Sequence, residues 1–253
     1  MKNYIKDYYK KIDTEKYYDE FSKIYENKRK KGYHKMLDDF ELAILSEFLN
    51  KTDKVLEIGC GTGLILKETD KLVSRAVGID ISSKMLEKAK QRGLEVYKAE
   101  ASLLPFNDNY FDVVYSFKVL SHIEAIEKTI HEINRVLKPG GIAVLEFYNR
   151  NSMRTFLKKV KPGNVISGNI TDNSVYTRYD TLKEIKYYMP GSLKIVKIKG
   201  IRVITPAFFV HNIPFVKDFF YKTEFFLKDT PLSRFAGFLV VIAEKERQSF
   251  DKE

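Results

Sequence analysis

The chain has a single cysteine, Cys60, and no tryptophan among its 253 residues. One thiol excludes an intramolecular disulfide framework and any zinc site built from several cysteines, and we predict no metal site. No apolar run approaches the roughly 18 residues that a membrane-spanning helix needs, and the first residues lack the apolar core of a signal peptide. These absences predict a cytoplasmic protein without a membrane span.

Hydrophobic residues make up 44% of the chain, which is enough to bury a full core in one domain with additions. The net charge of +10 is unevenly distributed. Residues 151–200 contain ten Lys and Arg against three Asp and Glu, whereas 1–50, 51–150 and 201–253 each carry one more base than acid. The basic region is therefore local, and it is either a solvated surface or a site for a polyanionic partner.

A glycine-rich turn follows the first predicted strand. Glu57 lies among β-favouring residues at positions 55–58, a pattern that indicates the end of a buried parallel strand. Three glycines then stand at every second position: Gly59, Gly61 and Gly63. A turn without side chains lets a ligand approach the backbone. Leu64 stands where the G-x-G-x-x-G of dinucleotide-binding proteins has its third glycine, so the spacing points away from NAD.

Strand and helix patterns alternate along most of the chain. The predicted strands are Lys54–Ile58, Arg75–Ile79, Leu94–Ala99, Phe111–Phe117, Ile142–Phe147, Leu193–Ile198 and Phe238–Ala243. The predicted helices start near Leu64, at Ser82 or Ser83 (ending at Gln91), near Ala125 (ending at Leu137) and at Leu182 (ending at Met189). This alternation predicts an α/β fold in which helices cover both faces of a mostly parallel sheet, with the site at the carboxyl ends of the strands.

The two ends of this pattern differ from its middle. Residues 1–50 have apolar residues at helical spacing and predict an N-terminal helical cap over the core at 51–253. Two stretches without the alternating rhythm, at about 149–180 and 201–236, predict insertions that shape the substrate site. In the second stretch, the aromatic residues of 208–227 either line an apolar cavity or pack an extra helix on the sheet edge.

Several stretches after the glycine turn occur in an order typical of one enzyme family. They are Gly78-Ile79-Asp80, the D-x-S-x-x-M-L pattern of residues 80–86, Leu104-Pro105-Phe106, residues 111–116 and residues 135–141. With the glycine turn they cover residues 51–150, and they resemble class I S-adenosylmethionine-dependent methyltransferases of the small-molecule type. The resemblance implies a Rossmann-like, seven-stranded, mostly parallel sheet with an antiparallel last strand.

The resemblance also implies S-adenosyl-L-methionine as the methyl donor and S-adenosyl-L-homocysteine as the product. Asp80 would hold the ribose hydroxyls, since a carboxylate accepts from two adjacent donors. Ile81 and Met85 would enclose adenine, and Glu100 would accept from its amine. The cofactor residues implied in this way are Tyr25, Glu57, Gly59, Cys60, Gly61, Gly63, Asp80, Ile81, Met85, Glu100, Ala101, Ser116 and Phe117.

Methyl transfer requires little beyond holding donor and acceptor in line, but an acceptor that loses a proton needs a base. His122 follows the fourth predicted strand, where the fold places side chains near the acceptor, and it is the candidate catalytic residue; a hydrogen-bonded scaffold role is the alternative. Arg29, Tyr33 and His34 follow the first helix of the cap and are candidate substrate contacts.

Three functions are compatible with these features. The first is methyl transfer to a small, hydrophobic molecule. The second is methylation of tRNA or rRNA, with the basic region at 151–200 holding phosphates, although no RNA-binding motif and no N-P-P-Y or D-P-P-Y motif is present. The third is a non-catalytic scaffold that keeps the cofactor fold.

Overall fold

The structure is a computed structural model that describes residues 13–29, 32–152, 155, 165–167, 170–171, 175–205 and 216–247. Its strands are Lys54–Ile58 (β1), Arg75–Asp80 (β2), Glu95–Lys98 (β3), Phe111–Ser116 (β4), Leu137–Tyr148 (β5), Val165–Ser167 (β6), Ile170–Thr171 (β7), Leu193–Ile201 (β8) and Phe238–Lys245 (β9). Its α-helices are Thr14–Arg29 (α1), Tyr33–Ser46 (α2), Leu64–Asp70 (α3), Ser83–Gln91 (α4), Ile126–Val136 (α5), Leu182–Tyr188 (α6) and Val216–Leu227 (α7).

Seven strands form one sheet in the order β3-β2-β1-β4-β5-β9-β8. The pairs from β3 to β5 are parallel, whereas β9 is antiparallel to both β5 and β8. The predicted fold class is therefore confirmed: six strands run in one direction and the last strand in the chain runs against them. Strands β6 and β7 form a separate two-stranded sheet.

Residue alternation along the strands buries apolar side chains on both faces of the sheet, because successive strand side chains point to opposite faces. On one face, strand residues pack with α5 and α6: Leu56, Ile58, Val114, Leu145, Phe147 and Val241 with Ile130, Ile133 and Ile185. On the other face, strand residues pack with α2 and α3: Val55, Val113, Tyr115, Val144, Val240 and Ile242 with Phe40, Ile44 and Ile65. Helices cover both faces, as predicted.

The predicted start of the fifth strand is wrong. Strand β5 begins at Leu137 rather than Ile142, so Pro139, Gly140 and Gly141 lie within it. Leu137 already pairs with Phe111, and the register then shifts so that Ile142 pairs with Val113. The turn-forming residues are therefore accommodated as an irregularity in a continuous strand, and a β-bulge does the same in other sheets.

Helix α7 contacts the fold through α2. The rings of Tyr221 and Phe225 pack against Phe40, with centroids 5.0 and 6.1 Å apart. The buried Glu224 carboxylate accepts the backbone N–H groups of residues 203–205, at 2.7 to 3.0 Å. The rest of the aromatic stretch that was predicted to line a cavity or pack an extra helix, residues 208–215, lies outside the described residues, and so do residues 1–12 of the predicted cap.

Candidate cofactor and acceptor site

A cavity of about 880 Å³ lies at the carboxyl ends of the parallel strands, beneath α1. Its walls come from the turn after β1, the end of β2, the loop after β3 and the stretch from Phe117 to Ala125 after β4. Residues of α1 form its cover, and Tyr148, at the end of β5, forms its far wall with Val175 and Thr177. The volume lies within the usual range of small-molecule sites.

The structure brings most of the sequence-predicted site residues to this cavity. The predicted residues that line it are Tyr25, Arg29, His34, Gly59, Gly61, Asp80, Ile81, Met85, Glu100, Ala101, Phe117 and His122. The remaining predicted residues are not among its described lining: Tyr33, Glu57, Cys60, Gly63 and Ser116.

The three glycines of the turn have different surroundings. A Cβ on Gly61 would meet only the Tyr25 hydroxyl at 3.7 Å and the Met85 sulfur at 4.0 Å, which are ordinary contacts at the cavity wall. A Cβ on Gly59 would lie 2.2 Å from Val119, and one on Gly63 would lie 2.3 Å from Leu94. Gly61 therefore exposes backbone to the cavity, whereas the other two glycines allow close packing.

Asp80 ends β2 and lies beside the glycine turn. One carboxylate oxygen accepts the Gly61 N–H and the other accepts the Ser82 N–H, both at 2.8 Å. Burial raises the pKa of this carboxyl, and the N–H donors of Ser82 and Gly61 oppose that shift. Each oxygen keeps a further lone pair, so the carboxylate can accept hydrogen bonds from a ligand and hold the turn at the same time.

Glu57 lies behind the turn rather than in the cavity. Glu57 is only 4% exposed, and its carboxylate accepts a hydrogen bond from the Tyr115 hydroxyl at 2.9 Å. Burial raises the pKa of Glu57 to about 8, against the lowering effect of the Tyr115 hydrogen bond. Ser116 is also turned away, because its hydroxyl donates to the Ile58 carbonyl at 3.0 Å. Cys60 packs beside Gly78, where an added Cβ would lie 2.7 Å from its sulfur.

Helix α1 is fixed over the cavity by polar contacts with α4. Asp19 accepts from the Ser82 hydroxyl at 2.6 Å and from the Lys84 N–H at 3.2 Å, so it supplements the N-terminal cap of α4. Further along, Arg92 of α4 pairs with Glu26 at 2.8 Å. These contacts orient the aromatic face of α1, which includes Tyr18 and Tyr25, toward the cavity.

A cluster of buried charges lies where α1, α2 and the end of β4 meet. Arg29 pairs with Asp38, and Lys118 pairs with Asp38 at 2.9 Å and with Glu41 at 2.7 Å. Burial would raise the pKa of Asp38, but Lys118 and Arg29 outweigh it and the pKa lies below its ordinary value. Lys118 has a left-handed backbone (φ 61°), and its N–H donates to Glu146 at 3.2 Å. The cluster joins the cover to the sheet.

His122 lines the same cavity and lies in a 3-10 helix spanning Leu120–His122. Its Nδ1 is 2.8 Å from the Tyr176 carbonyl oxygen, and its Nε2 is 3.4 Å from the Tyr148 hydroxyl. Its ring makes edge contacts with Tyr18 and Tyr148, at centroid distances of 6.1 and 5.5 Å. Burial, followed by the influence of Tyr148, raises the pKa of Tyr18 well above its usual value, so that hydroxyl keeps its proton.

Three further residues that line the cavity were not found from the sequence: Tyr18, Lys118 and Tyr148. Tyr148 ends β5, and the rule that sites form at strand carboxyl ends could have identified it. Tyr18 is seven positions before Tyr25 and so lies on the same helix face, a spacing that could also have signalled it. No sequence pattern identifies Lys118, because its position depends on partners that are distant in sequence. These are Asp38 and Glu41 of α2 and Glu146 of β5.

Within the described ranges, no helix is both long and apolar enough to cross a bilayer. The same part of the chain has no group of three or more His, Cys, Asp or Glu side chains that could hold a metal ion.

Comparison with known proteins gives consistent results. Residues 56–145 match the family described as Methyltransferase domain. The chain is 31% identical to the uncharacterised protein MJ1252 of Methanocaldococcus jannaschii, over 93% of this chain and 92% of that protein. It is 34% identical to the ubiquinone/menaquinone biosynthesis C-methyltransferase UbiE of Wigglesworthia glossinidia brevipalpis, over 59% of this chain and 65% of that enzyme. Among solved structures, an S-adenosylmethionine-dependent methyltransferase of Thermotoga maritima has the same fold, with a TM-score of 0.65 and 20% identity over 92% of this chain and 99% of that one.

Proposed function

Because this chain belongs to the class I S-adenosylmethionine-dependent methyltransferases, we propose that it transfers a methyl group to a small, hydrophobic acceptor bound beside His122 and Tyr148. The observation that carries the proposal is that one cavity is lined by two chemically different groups of residues. The glycine turn and the buried Asp80 carboxylate form the first group, which we call the first end, and the His122 imidazole and the Tyr148 phenol form the second, which we call the acceptor end. Such a cavity suits a nucleoside donor and a separate acceptor.

The first end fits S-adenosylmethionine. Gly61 presents backbone without a side chain at the cavity wall, and Asp80 can accept hydrogen bonds from two ribose hydroxyls. Ile81 and Met85 line the same end and can hold the adenine ring between apolar groups, with Glu100 and the Ala101 backbone at its edge. Phe117, Tyr25 and Arg29 line the cavity as well. In this proposal, Phe117 would border the methionine portion, and Tyr25 and Arg29 would cover it from α1. Glu57, Cys60, Gly63 and Ser116 act behind the turn by holding its shape.

Methyl transfer requires the protein mainly to hold the methyl donor and the acceptor in the correct relative position. When bound, S-adenosylmethionine supplies a methyl group activated by a sulfonium; its carbon–sulfur bond breaks as the bond to the acceptor forms, leaving a neutral thioether. The acceptor's nucleophilic atom loses a proton, which His122 Nε2 can accept and pass to water. The aromatic cover of α1 excludes water from the reacting atoms, and holding the two molecules in line can lower the barrier by several kcal/mol.

The acceptor end is apolar apart from its few convergent polar groups. Ile123, Ala125 and Val175 line it, together with the rings of Tyr18 and Tyr148. The likeness to UbiE supports an acceptor of the quinone-precursor kind, since that relative is named for quinone biosynthesis. His34 lines the cavity and can contact such an acceptor, whereas the ring of Tyr33 is stacked beneath Arg202 at 5.1 Å and supports the cover instead.

A methylation assay tests the proposal directly. The chain is incubated with methyl-labelled S-adenosylmethionine and, in parallel, with a panel of phenols and quinols, with small amines, and with unmodified tRNA. We expect label in the phenol and quinol panel and none in the tRNA. Titration calorimetry with S-adenosylhomocysteine, run on the same preparation, should show binding. Binding without label in any panel would favour a non-catalytic scaffold and contradict the proposal.

The alternative acceptor, tRNA or rRNA, relies on the basic region at 151–200. Of its described basic residues, Lys199 is 1% exposed and paired with Glu47 and Asp229, and Arg178 is paired with Asp180. These two charges are therefore committed to internal contacts. If the remaining lysines did hold RNA phosphates, tRNA binding would weaken steeply with added salt, and that result would favour the alternative.

A further inference from the structure

The segment 175–180 lies directly against the 3-10 helix that carries His122. The backbone N–H of Arg178 donates to the Ser121 carbonyl at 2.7 Å. Its guanidinium donates to the Leu120 carbonyl at 3.0 Å and to the Ile123 carbonyl at 2.6 Å. One residue, 55 to 58 positions away in sequence, therefore binds three backbone carbonyls on either side of His122.

The Arg178 side chain is itself held in place. Its Nε donates to an Asp180 carboxylate oxygen at 2.7 Å, and the Tyr188 hydroxyl donates to the same oxygen at 3.0 Å. Asp180 is fully buried, and its N–H donates to the Tyr148 carbonyl at 2.8 Å. The guanidinium is planar, so a hydrogen bond from Nε to the fixed Asp180 carboxylate also fixes the direction of its other N–H groups. These groups point to the carbonyls of Leu120 and Ile123, on either side of His122.

The same segment determines which imidazole nitrogen carries the proton. His122 Nδ1 lies 2.8 Å from the Tyr176 carbonyl oxygen, and a carbonyl can only accept. The Thr177 hydroxyl, 3.3 Å from Nδ1, can accept as well as donate, so a proton on Nδ1 satisfies both contacts and in the neutral ring Nε2 is the acceptor. Nε2 lies beside the Tyr148 hydroxyl at 3.4 Å, and both residues line the cavity.

We propose that Arg178 is a positioning residue: by holding the 120–123 backbone against Tyr176, it keeps His122 in the Nδ1–H form with Nε2 as the proton acceptor. The catalytic meaning of this arrangement rests on the proposed function, in which Nε2 removes a proton from the acceptor. It implies an acceptor whose nucleophilic atom carries a proton that Nε2 can take. Asp180 and Tyr188 act through Arg178.

Nitrogen NMR of the imidazole rings tests the inference without any acceptor. The full chain is labelled with ¹⁵N, and the His122 signals are assigned by their loss in His122→Gln. Above the ring's own pKa, the unaltered chain should show a protonated Nδ1 and an unprotonated Nε2. In Arg178→Gln, the ratio of the Nδ1–H form to the Nε2–H form should fall by roughly fivefold or more, the effect of losing one ordinary hydrogen bond.

Arg150→Gln is the matched control. Arg150 donates to the Tyr179 carbonyl of the same segment at 3.0 and 2.7 Å, but its hydrogen bonds go to that carbonyl and to Glu184 rather than to residues 120–123. This variant should keep the native tautomer. Arg178→Lys retains a positive charge beside Asp180 but loses the planar guanidinium that reaches the carbonyls of residues 120 and 123, so it should give an intermediate ratio of the two tautomers. If Arg178→Gln does not fold, Arg178→Lys is the variant that tests the proposal. An unchanged tautomer in a folded Arg178 variant would overturn the proposal.

S-adenosylhomocysteine affinity, measured on the same samples, separates the two ideas. The Arg178 variants should bind it as the unaltered chain does, since Arg178 is not among the described residues that line the cavity. Absence of binding in the unaltered chain would contradict the proposed function while leaving the tautomer result intact. Normal binding of S-adenosylhomocysteine, together with a His122 tautomer that does not change in the Arg178 variants, would contradict the positioning role of Arg178 and leave the proposed function intact.

Discussion

At the scale of single residues, the glycine turn shows that one repeated residue type serves two purposes. All three glycines have positive φ, and Gly59 and Gly61 both line the cavity. Only at Gly61 would an added Cβ make ordinary contacts, whereas at Gly59 and Gly63 it would collide with Val119 and Leu94. From the sequence the three are equivalent, because their spacing reports the turn and not its neighbours. The structure therefore separates a ligand-facing glycine from two that serve packing.

Gly61→Ala and Gly63→Ala form a matched pair that tests this separation. Both substitutions strain a left-handed backbone (φ 53° and 77°), so that effect is common to them. Gly61→Ala places a methyl group in the cavity and should weaken S-adenosylhomocysteine binding by about tenfold or more, ~1.4 kcal/mol. Gly63→Ala should chiefly lower the melting temperature, because its Cβ would lie 2.3 Å from Leu94. Calorimetry measures the affinity of both variants for S-adenosylhomocysteine, and thermal melts measure their stability. Equal losses of affinity would contradict the assignment of Gly61 to ligand binding and of Gly63 to packing.

Asp80 combines a ligand role with a structural one, and the two can be measured separately. Asp80→Asn removes the charge at nearly constant shape and should weaken S-adenosylhomocysteine binding by ~1.5–3 kcal/mol, the range for hydrogen bonds to charged groups. Because the carboxylate also accepts from Gly61 and Ser82, the melting temperature should fall as well. Asp70→Asn, at an exposed position after the same turn, is the control. Unchanged calorimetric affinity in Asp80→Asn would remove Asp80 from the ribose site.

At the scale of elements, the alternating pattern was sufficient to predict the sheet and its helices, since each strand buries residues on two faces and each helix on one. Strand β1 was predicted to the residue, and α4 and α6 were predicted to within one position. The contacts around His122 were not predictable in the same way. Arg178 and Tyr176 belong to a stretch with no periodicity, and they reach His122 through contacts that span more than 50 residues. Only the folded chain reveals such contacts.

The charge cluster that joins α1, α2 and β4 leads to a prediction about these elements. Asp38→Asn leaves Arg29 and Lys118 buried with one carboxylate fewer, so we expect a loss of about 3 kcal/mol or more in the free energy of unfolding. Asp39→Asn is the neighbouring comparison, because Asp39 is only partly buried and pairs only with Lys35, at 2.6 Å, in the described contacts. Its loss should be below about 1 kcal/mol. Denaturant unfolding of both variants measures the difference; similar losses would mean that the cluster does not hold the cover to the sheet.

At the scale of the whole molecule, one buried acid should shape how stability depends on pH. Glu57 has a pKa of about 8 in the folded chain, against 4.5 for an ordinary glutamate, because burial disfavours its charged form. Between these values the folded chain keeps the proton and the unfolded chain releases it. The contribution to stability is therefore complete below pH 4.5 and is lost as the pH rises to about 8. Its size is on the order of a few kcal/mol.

Glu57→Gln isolates this effect from the other titrating groups, since glutamine keeps an acceptor for the Tyr115 hydroxyl but cannot ionise. Near pH 5 the variant and the unaltered chain should have similar free energies of unfolding. As the pH rises, the unaltered chain should lose stability relative to the variant, and above pH 8 the gap should stop growing. Denaturant unfolding at several pH values measures the gap, with Glu68→Gln, at a partly exposed position of α3, as the control. Parallel curves would mean that Glu57 is ionised throughout and that the turn after β1 is anchored by a charge instead of a neutral acid.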